Sequence, residues 1–277
     1  MTIRKTITLV RFILPSTILL FLLISINFFV SSTAYAASEP PELWGDGTLR
    51  RMRVPILMYH YVSDLPVDAD PIRQGLTISP ERFEQHLRYL QASNYYTISI
   101  RNLHLALDYG KSLPINSVVL TFDDGYQDHY RNVYPLLQSY GMTGTFFVIT
   151  GFADKNAQNH LTWNEIVEMA LANMEIQAHT KTHPDLRVRS TDFLVYQILG
   201  SLQSIDFHTG IPATYLAYPA GRYDDNVLNV LQSMPVERAF TTQAGIVHTT
   251  DNRYEMYRLR IQPNMSISGL ESLLRRS

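Results

Sequence analysis

The chain has 277 residues, 45% of them hydrophobic and 17% charged, with a formal net charge of −2. That balance supports a large core and excludes an intrinsically disordered chain, and no basic stripe marks a nucleic-acid surface. Nine histidines and no cysteine exclude disulfides and thiolate ligands, so a transition-metal centre must be built from imidazole and carboxylate.

The first 36 residues form a secretory pattern. Arg4, Lys5 and Arg11 give a positive start, Ile13 to Val30 is uncharged and mostly apolar, and Ala34-Tyr35-Ala36 offers a cleavage site before Ala37. The alternative is an uncleaved anchor, since the run is barely long enough to span a bilayer. Either way the remainder is exported, periplasmic or extracellular, and it meets a membrane only if the segment stays. Residues 37–51 are polar and contain proline, and read as a linker. Residues 52–277 read as a single folded domain.

Within that domain strands and helices alternate. Strands are expected at Val54–Tyr59, Ser117–Phe122, Gly144–Ile149, Met174–Ala178, Tyr215–Tyr218, Arg238–Thr242 and Tyr257–Ile261. Ser79 and Ser99 open helices as N-caps, with Pro80 in the first turn. Tyr126 to Tyr140 reads as helix with Gly141 as its stop. Thr162 and Glu165 form a capping-box pattern. Further helices are expected from Thr191 to a stop at Gly210, over Asp225–Gln232, and after Ser268. Alternating elements imply parallel strands joined by right-handed crossovers. The expected class is α/β, an incomplete (β/α) barrel, with a doubly wound open sheet as the alternative.

In such a barrel chemistry gathers at the C-terminal ends of strands. The unusual polar residues fall there. Asp123 and Asp124 end one strand, and adjacent carboxylates point in different directions, so one can bind a metal while the other acts as a base. His179 and His183 follow another strand at a spacing of four. With one aspartate they make a three-ligand site that leaves a position for water. His60 ends the first strand. Tyr218-Pro219-Ala220-Gly221 is a tight turn that can aim the Ala220 N–H into the mouth. Tyr126, Tyr215, Tyr218, Tyr223 and Trp163 offer stacking faces for sugars.

Thr121-Phe122-Asp123-Asp124-Gly125, taken with His179-Thr180-Lys181-Thr182-His183, resembles the polysaccharide deacetylase family, carbohydrate esterase family 4. Pro55 to His60 (Pro-Ile-Leu-Met-Tyr-His) resembles the opening of a subgroup that includes exopolysaccharide poly-N-acetylglucosamine deacetylases. Leu161-Thr162-Trp163, His183-Pro184-Asp185-Leu186 and Ala217 to Gly221 fit the same pattern. The resemblance runs from about Val54 to Leu274. It implies a distorted (β/α)7 barrel that removes N-acetyl groups from N-acetylglucosamine-containing polysaccharide, giving acetate and a free amine. The implied cofactor is one divalent metal, zinc first, with cobalt, nickel or iron as alternatives. By motif position Asp124, His179 and His183 would bind it. Asp123 would be the general base, His60 the general acid, and the Ala220 amide an oxyanion donor, with Tyr218 beside it toward substrate.

The chain departs from the family pattern in three places. Ala220 stands where many members carry an aromatic residue. The arginine that often precedes that motif is missing, and Arg258 in the last strand resembles one that could orient the base, with Arg260 as the alternative on the same face. The C-terminal histidine motif of other subgroups is not evident, which leaves His248 as the alternative acid. Two other readings share the fold: a non-catalytic carbohydrate-binding barrel, and an ester or amide hydrolase with the same metal chemistry on another substrate.

Overall fold

Seven short segments become seven of the eight strands of the main parallel sheet. They are β1 (Ile56–Tyr59), β2 (Ser117–Phe122), β3 (Thr145–Val148), β4 (Glu175–Ala178), β5 (Tyr215–Ala217), β6 (Arg238–Phe240) and β7 (Leu259–Arg260). The computed structural model describes residues 45–275, so the expected signal segment, and the expected linker up to residue 44, lie outside the described residues. Across the sheet the order is β6-β5-β4-β3-β2-β1-β7, and Tyr96–Thr97 pairs along the start of β2. Every residue of β1, β2, β3, β5 and β6 is buried. That pattern belongs to parallel sheets covered on both faces, and explains why these strands read as continuous apolar runs.

A parallel bridge between Phe240 and Met256 ties β6 to the segment entering β7. The sheet therefore curls on itself, as the distorted barrel requires and a doubly wound open sheet does not. Strand alternation divides the core in two. Ile56, Val119, Phe147, Tyr215, Ala217, Phe240 and Met256 pack inside the curl. Leu57, Tyr59, Leu120, Phe122, Phe146 and Leu216 face the surrounding helices.

The helices are α1 (Pro71–Leu76), α2 (Pro80–Ala92), α3 (Ile100–Tyr109), α4 (Tyr134–Ser139), α5 (Thr150–Asp154), α6 (Trp163–Leu171), α7 (Thr191–Thr209), α8 (Asp225–Leu231) and α9 (Ile267–Arg275). Their ends follow the sequence signals. The Ser79 hydroxyl accepts from the Arg82 N–H at 3.2 Å to start α2, which buries Phe83, His86, Leu87 and Leu90. Thr162 and Glu165 complete their capping box at α6. Gly210 ends α7 with φ 67°, a left-handed cap that glycine adopts without steric penalty.

Two expectations need correction, and two short helices lie outside the expected set. The helix expected from Tyr126 starts at His129, as a π turn over His129–Val133 that continues into α4. The short helices α1 and α5 carry too few apolar positions to show a period. The boundary expected after residue 51 falls inside a strand: Arg51–Arg53 pairs with Val247–Thr249, and the Asp46 N–H donates to the Asp108 carbonyl at 2.9 Å. Residues 46–51 thus dock on the domain.

Candidate active site

Alternation also sets which side chains reach the mouth. His60, Asp123 and His179 have the same parity as the interior residues Ile56, Val119 and Gln177, and each lies just past the C-terminal end of its strand. Position and parity together put all three at one end of the curl.

Asp124 and the two histidines converge. The His179 Nε2 lies 3.3 Å and the His183 Nε2 3.4 Å from Asp124 Oδ1, and one ligand atom from each of the three lies within 4.8 Å of the others. Two ligands about 2.0–2.1 Å from a shared ion at a tetrahedral angle are about 3.3 Å apart, so the two Asp124–histidine distances match those of ligands sharing one metal. The His179 Nδ1–H donates to the Ala217 carbonyl at 2.8 Å, which leaves Nε2 with its lone pair toward the others, as a metal ligand needs. Burial alone would raise the Asp124 pKa, but the neighbouring imidazoles, His179 foremost, reverse it and hold the carboxylate well below its usual range. For His179 burial pushes down, and the neighbouring aspartates win and raise it. Two of the three ligands sit in left-handed backbone, Asp124 at φ 75° and His183 at φ 57°, a cost typical of functional sites.

Asp123 stands apart from this set. It is 2% exposed and takes both prongs of the Arg258 guanidinium, at 2.7 and 2.8 Å. Arg258 is itself fixed by donating to the Thr241 carbonyl at 2.9 Å. Burial would raise the Asp123 pKa, yet Arg258 and His179 outweigh it and the carboxyl stays ionised. Of the two arginines on this face, Arg258 therefore holds Asp123, and the half-buried Arg260 does not.

His60 Nε2 lies 4.0 Å from Asp123 Oδ2. Burial pushes the imidazole pKa down to about 4 against the pull of the two aspartates, so the ring is neutral at pH 7. Its carbonyl accepts from His129 Nε2 at 2.6 Å. His129 comes from the π turn, a distortion that recurs near functional sites, and no sequence pattern pointed to it. The alternative acid, His248, is fully buried in the strand paired with Arg51–Arg53 and donates to the Val54 carbonyl at 3.0 Å.

Ala220 has φ 52° inside the short turn Pro219–Gly221 and is exposed. Gly221 is required there, because a Cβ would meet Thr242 Oγ1 at 2.2 Å. Tyr218 differs from its expected place against substrate. It is fully buried, its hydroxyl donates to the Tyr254 carbonyl at 2.9 Å, and its ring stacks on Tyr223. Tyr215 is buried at the opposite end of its strand. Trp163 stacks on His208 and Tyr126 on Tyr61. Tyr61 and Tyr126 line a cavity of about 580 Å³, whose walls include none of the three converging ligands.

Comparison with known proteins shows what the chain resembles. A family profile described as polysaccharide deacetylase matches residues 110–239. The Bacillus subtilis protein YxkH, whose name places it among the polysaccharide deacetylases, is 30% identical over 222 residues, covering 80% of this chain and 76% of that protein. A Staphylococcus aureus protein named poly-β-1,6-N-acetyl-D-glucosamine N-deacetylase is 24% identical over 215 residues, 73% of this chain and 72% of that one. Among solved structures, Streptococcus pyogenes deacetylase PplD in complex with acetate superposes with a TM-score of 0.75 at 30% identity, over 81% of this chain and 99% of PplD.

Proposed function

Because the chain belongs to the polysaccharide deacetylase family, whose members hydrolyse N-acetyl amide bonds, we propose that it deacetylates a poly-N-acetylglucosamine polysaccharide with one zinc ion held by Asp124, His179 and His183. The observation that carries the site assignment is the convergence of those three ligands beside a carboxylate, Asp123, that Arg258 keeps out of the set. The substrate assignment is supported by the Staphylococcus aureus relative and by the Met58-Tyr59-His60 opening. Export of the domain, expected from residues 1–36, belongs to the same proposal. Among the described residues no helix is long and apolar enough to cross a membrane.

Amide hydrolysis needs a stronger nucleophile than water and a stronger electrophile than an amide. A divalent ion at the three ligands would polarise the carbonyl and lower the pKa of water from ~15.7 toward about 7. Asp123, ionised at pH 7, takes the proton of the attacking water. The Ala220 N–H donates to the oxyanion that forms, a contribution of about 3–4 kcal/mol for one such donor. The C–N bond then breaks, and the leaving nitrogen needs a proton. His60 supplies it. As a neutral ring it must first be charged, and the proton on Asp123, 4.0 Å away, is the nearest source. Water has then been divided between acetate and amine, and Asp123 is ionised again.

Acetate release from a panel of acetylated glycans, after chelation and metal add-back, tests the reading. The expected result is metal-restored release from poly-N-acetylglucosamine above chitin oligomers, peptidoglycan and acetylated xylan. Release only from xylan would overturn the substrate class. His60→Ala is expected to lower kcat by about 10²–10⁴ with unchanged zinc content, and near-native turnover would remove His60 from the mechanism.

A further inference from the structure

The loop that carries two of the three ligands has no regular structure of its own. Residues 179–186 belong to neither helix nor strand, and both Thr180 (φ 67°) and His183 (φ 57°) are left-handed. Each such residue costs about 1–2 kcal/mol relative to ordinary backbone, so something outside the loop must hold it.

The holding comes from two helices. From α5, the Thr150 and Gly151 N–H groups donate to the Thr180 and Lys181 carbonyls at 3.2 and 2.8 Å. Gly151 permits that approach, since a Cβ there would meet the Lys181 carbonyl oxygen at 2.3 Å. From α7, one residue makes three contacts. The Gln197 carbonyl accepts from the Lys181 N–H at 3.1 Å. Its side-chain Oε1 accepts from the Thr182 N–H at 3.0 Å, and its Nε2 donates to the Thr182 hydroxyl at 2.8 Å. Gln197 is 3% exposed, so its amide has little water to turn to. Lys181 closes the brace by reaching Asp154 at 2.9 Å and Ser204 at 3.0 Å.

We propose that Gln197, which touches neither ligand, is a positioning residue for the metal site, setting the separation of His179 and His183 through its clamp on Thr182. The clamp grips the residue next to His183, while His183 itself is tied by its N–H to Thr180 Oγ1 at 3.0 Å. With Gln197 shortened, the Thr182 N–H and hydroxyl are free to turn to solvent, and the left-handed turn is free to relax. The three ligand atoms would then no longer be held at one spacing. Groups that orient metal ligands typically cost 10–100-fold in affinity when removed.

The inference rests on the metal-site reading and is tested by zinc titration of metal-free protein against a chromophoric chelator. Gln197→Ala is expected to weaken zinc binding by about 10–100-fold, while Gln197→Glu, which keeps an acceptor for the Thr182 N–H, is expected to restore most of it. The melting temperature of the metal-free protein separates a local from a global effect. If Gln197 only stabilises the fold, that temperature falls and zinc affinity is unchanged in the folded variant, which overturns the proposal. Thr182→Val is at an exposed position and supplies a folded variant in any case. It too is expected to bind zinc more weakly, and unchanged affinity there also overturns the proposal. Failure of the native protein to bind zinc would instead sink the metal-site reading.

Discussion

At the scale of single residues, the decisive pair is Asp123 and Arg258. Arg258 lowers the Asp123 pKa against a burial effect that raises it. Replacing Arg258 by alanine removes the lowering influence, so the carboxyl ionises only at higher pH, and the acidic limb of kcat/KM is expected to move up. The same change strands a buried carboxylate and is expected to cost about 3–5 kcal/mol of stability. A pH–rate profile and a denaturant melt check the two effects separately. A profile that does not move would mean that Asp123 is not the base. Which residues could be found from the sequence follows from where they stand. His60, Asp123 and His179 are polar residues at the ends of apolar strands, and their parity is countable, while Asp124 is found as the neighbour of Asp123. Arg258 and Arg260 share that parity, and only their depth relative to Asp123 separates them. Gln197 looks like any polar residue of a long helix until the loop packed on it is known. Tyr218 misled because a tyrosine beside a turn looks exposed, whereas its hydroxyl finds the Tyr254 carbonyl.

At the scale of elements, turns and caps carry the geometry of the site. The Pro219–Gly221 turn holds Ala220 left-handed, a conformation alanine has no preference for, so its shape was not readable from its composition. Gly221, at φ 67°, has no room for a Cβ beside Thr242. Gly221→Ala is therefore expected to displace the Ala220 amide and lower kcat while leaving zinc affinity intact. Steady-state kinetics with a parallel zinc titration measure this, and an unchanged kcat would deny the amide its role. The helices with strong signals, a serine or threonine cap and a glycine stop, formed where expected. The π turn over His129–Val133 did not announce itself, because such turns are rare and no residue pattern used in reading helices marks them.

For the molecule as a whole, buried histidines set the response to acid. Burial lowers the His248 pKa to about 4 from 6.5, and His86 and His104 are lowered as well, with burial the leading cause. The folded state then binds fewer protons than the unfolded chain between pH 6.5 and about 4. The stability these three histidines contribute is fully present above pH 6.5 and is lost as pH drops through that window. His248 Nδ1 has no hydrogen-bond partner, so a second proton there would be buried without compensation. His248→Gln is expected to flatten the acid limb by up to about 3 kcal/mol, read from urea melts at pH 7 and pH 4.5. Parallel melts of variant and native protein across that range would remove His248 from the explanation. The architecture was legible because alternating strands and helices leave few parallel topologies. The closing bridge between Phe240 and Met256 was not, because nothing local marks a lone pairing between distant segments.

The central claim is the division of labour between adjacent aspartates, and one paired measurement tests it: zinc content and acetate release in Asp123→Asn and Asp124→Asn beside the native protein. The account predicts full zinc content with almost no acetate for Asp123→Asn, and loss of both for Asp124→Asn. Near-native acetate release from Asp123→Asn, or full zinc content in Asp124→Asn, would contradict it.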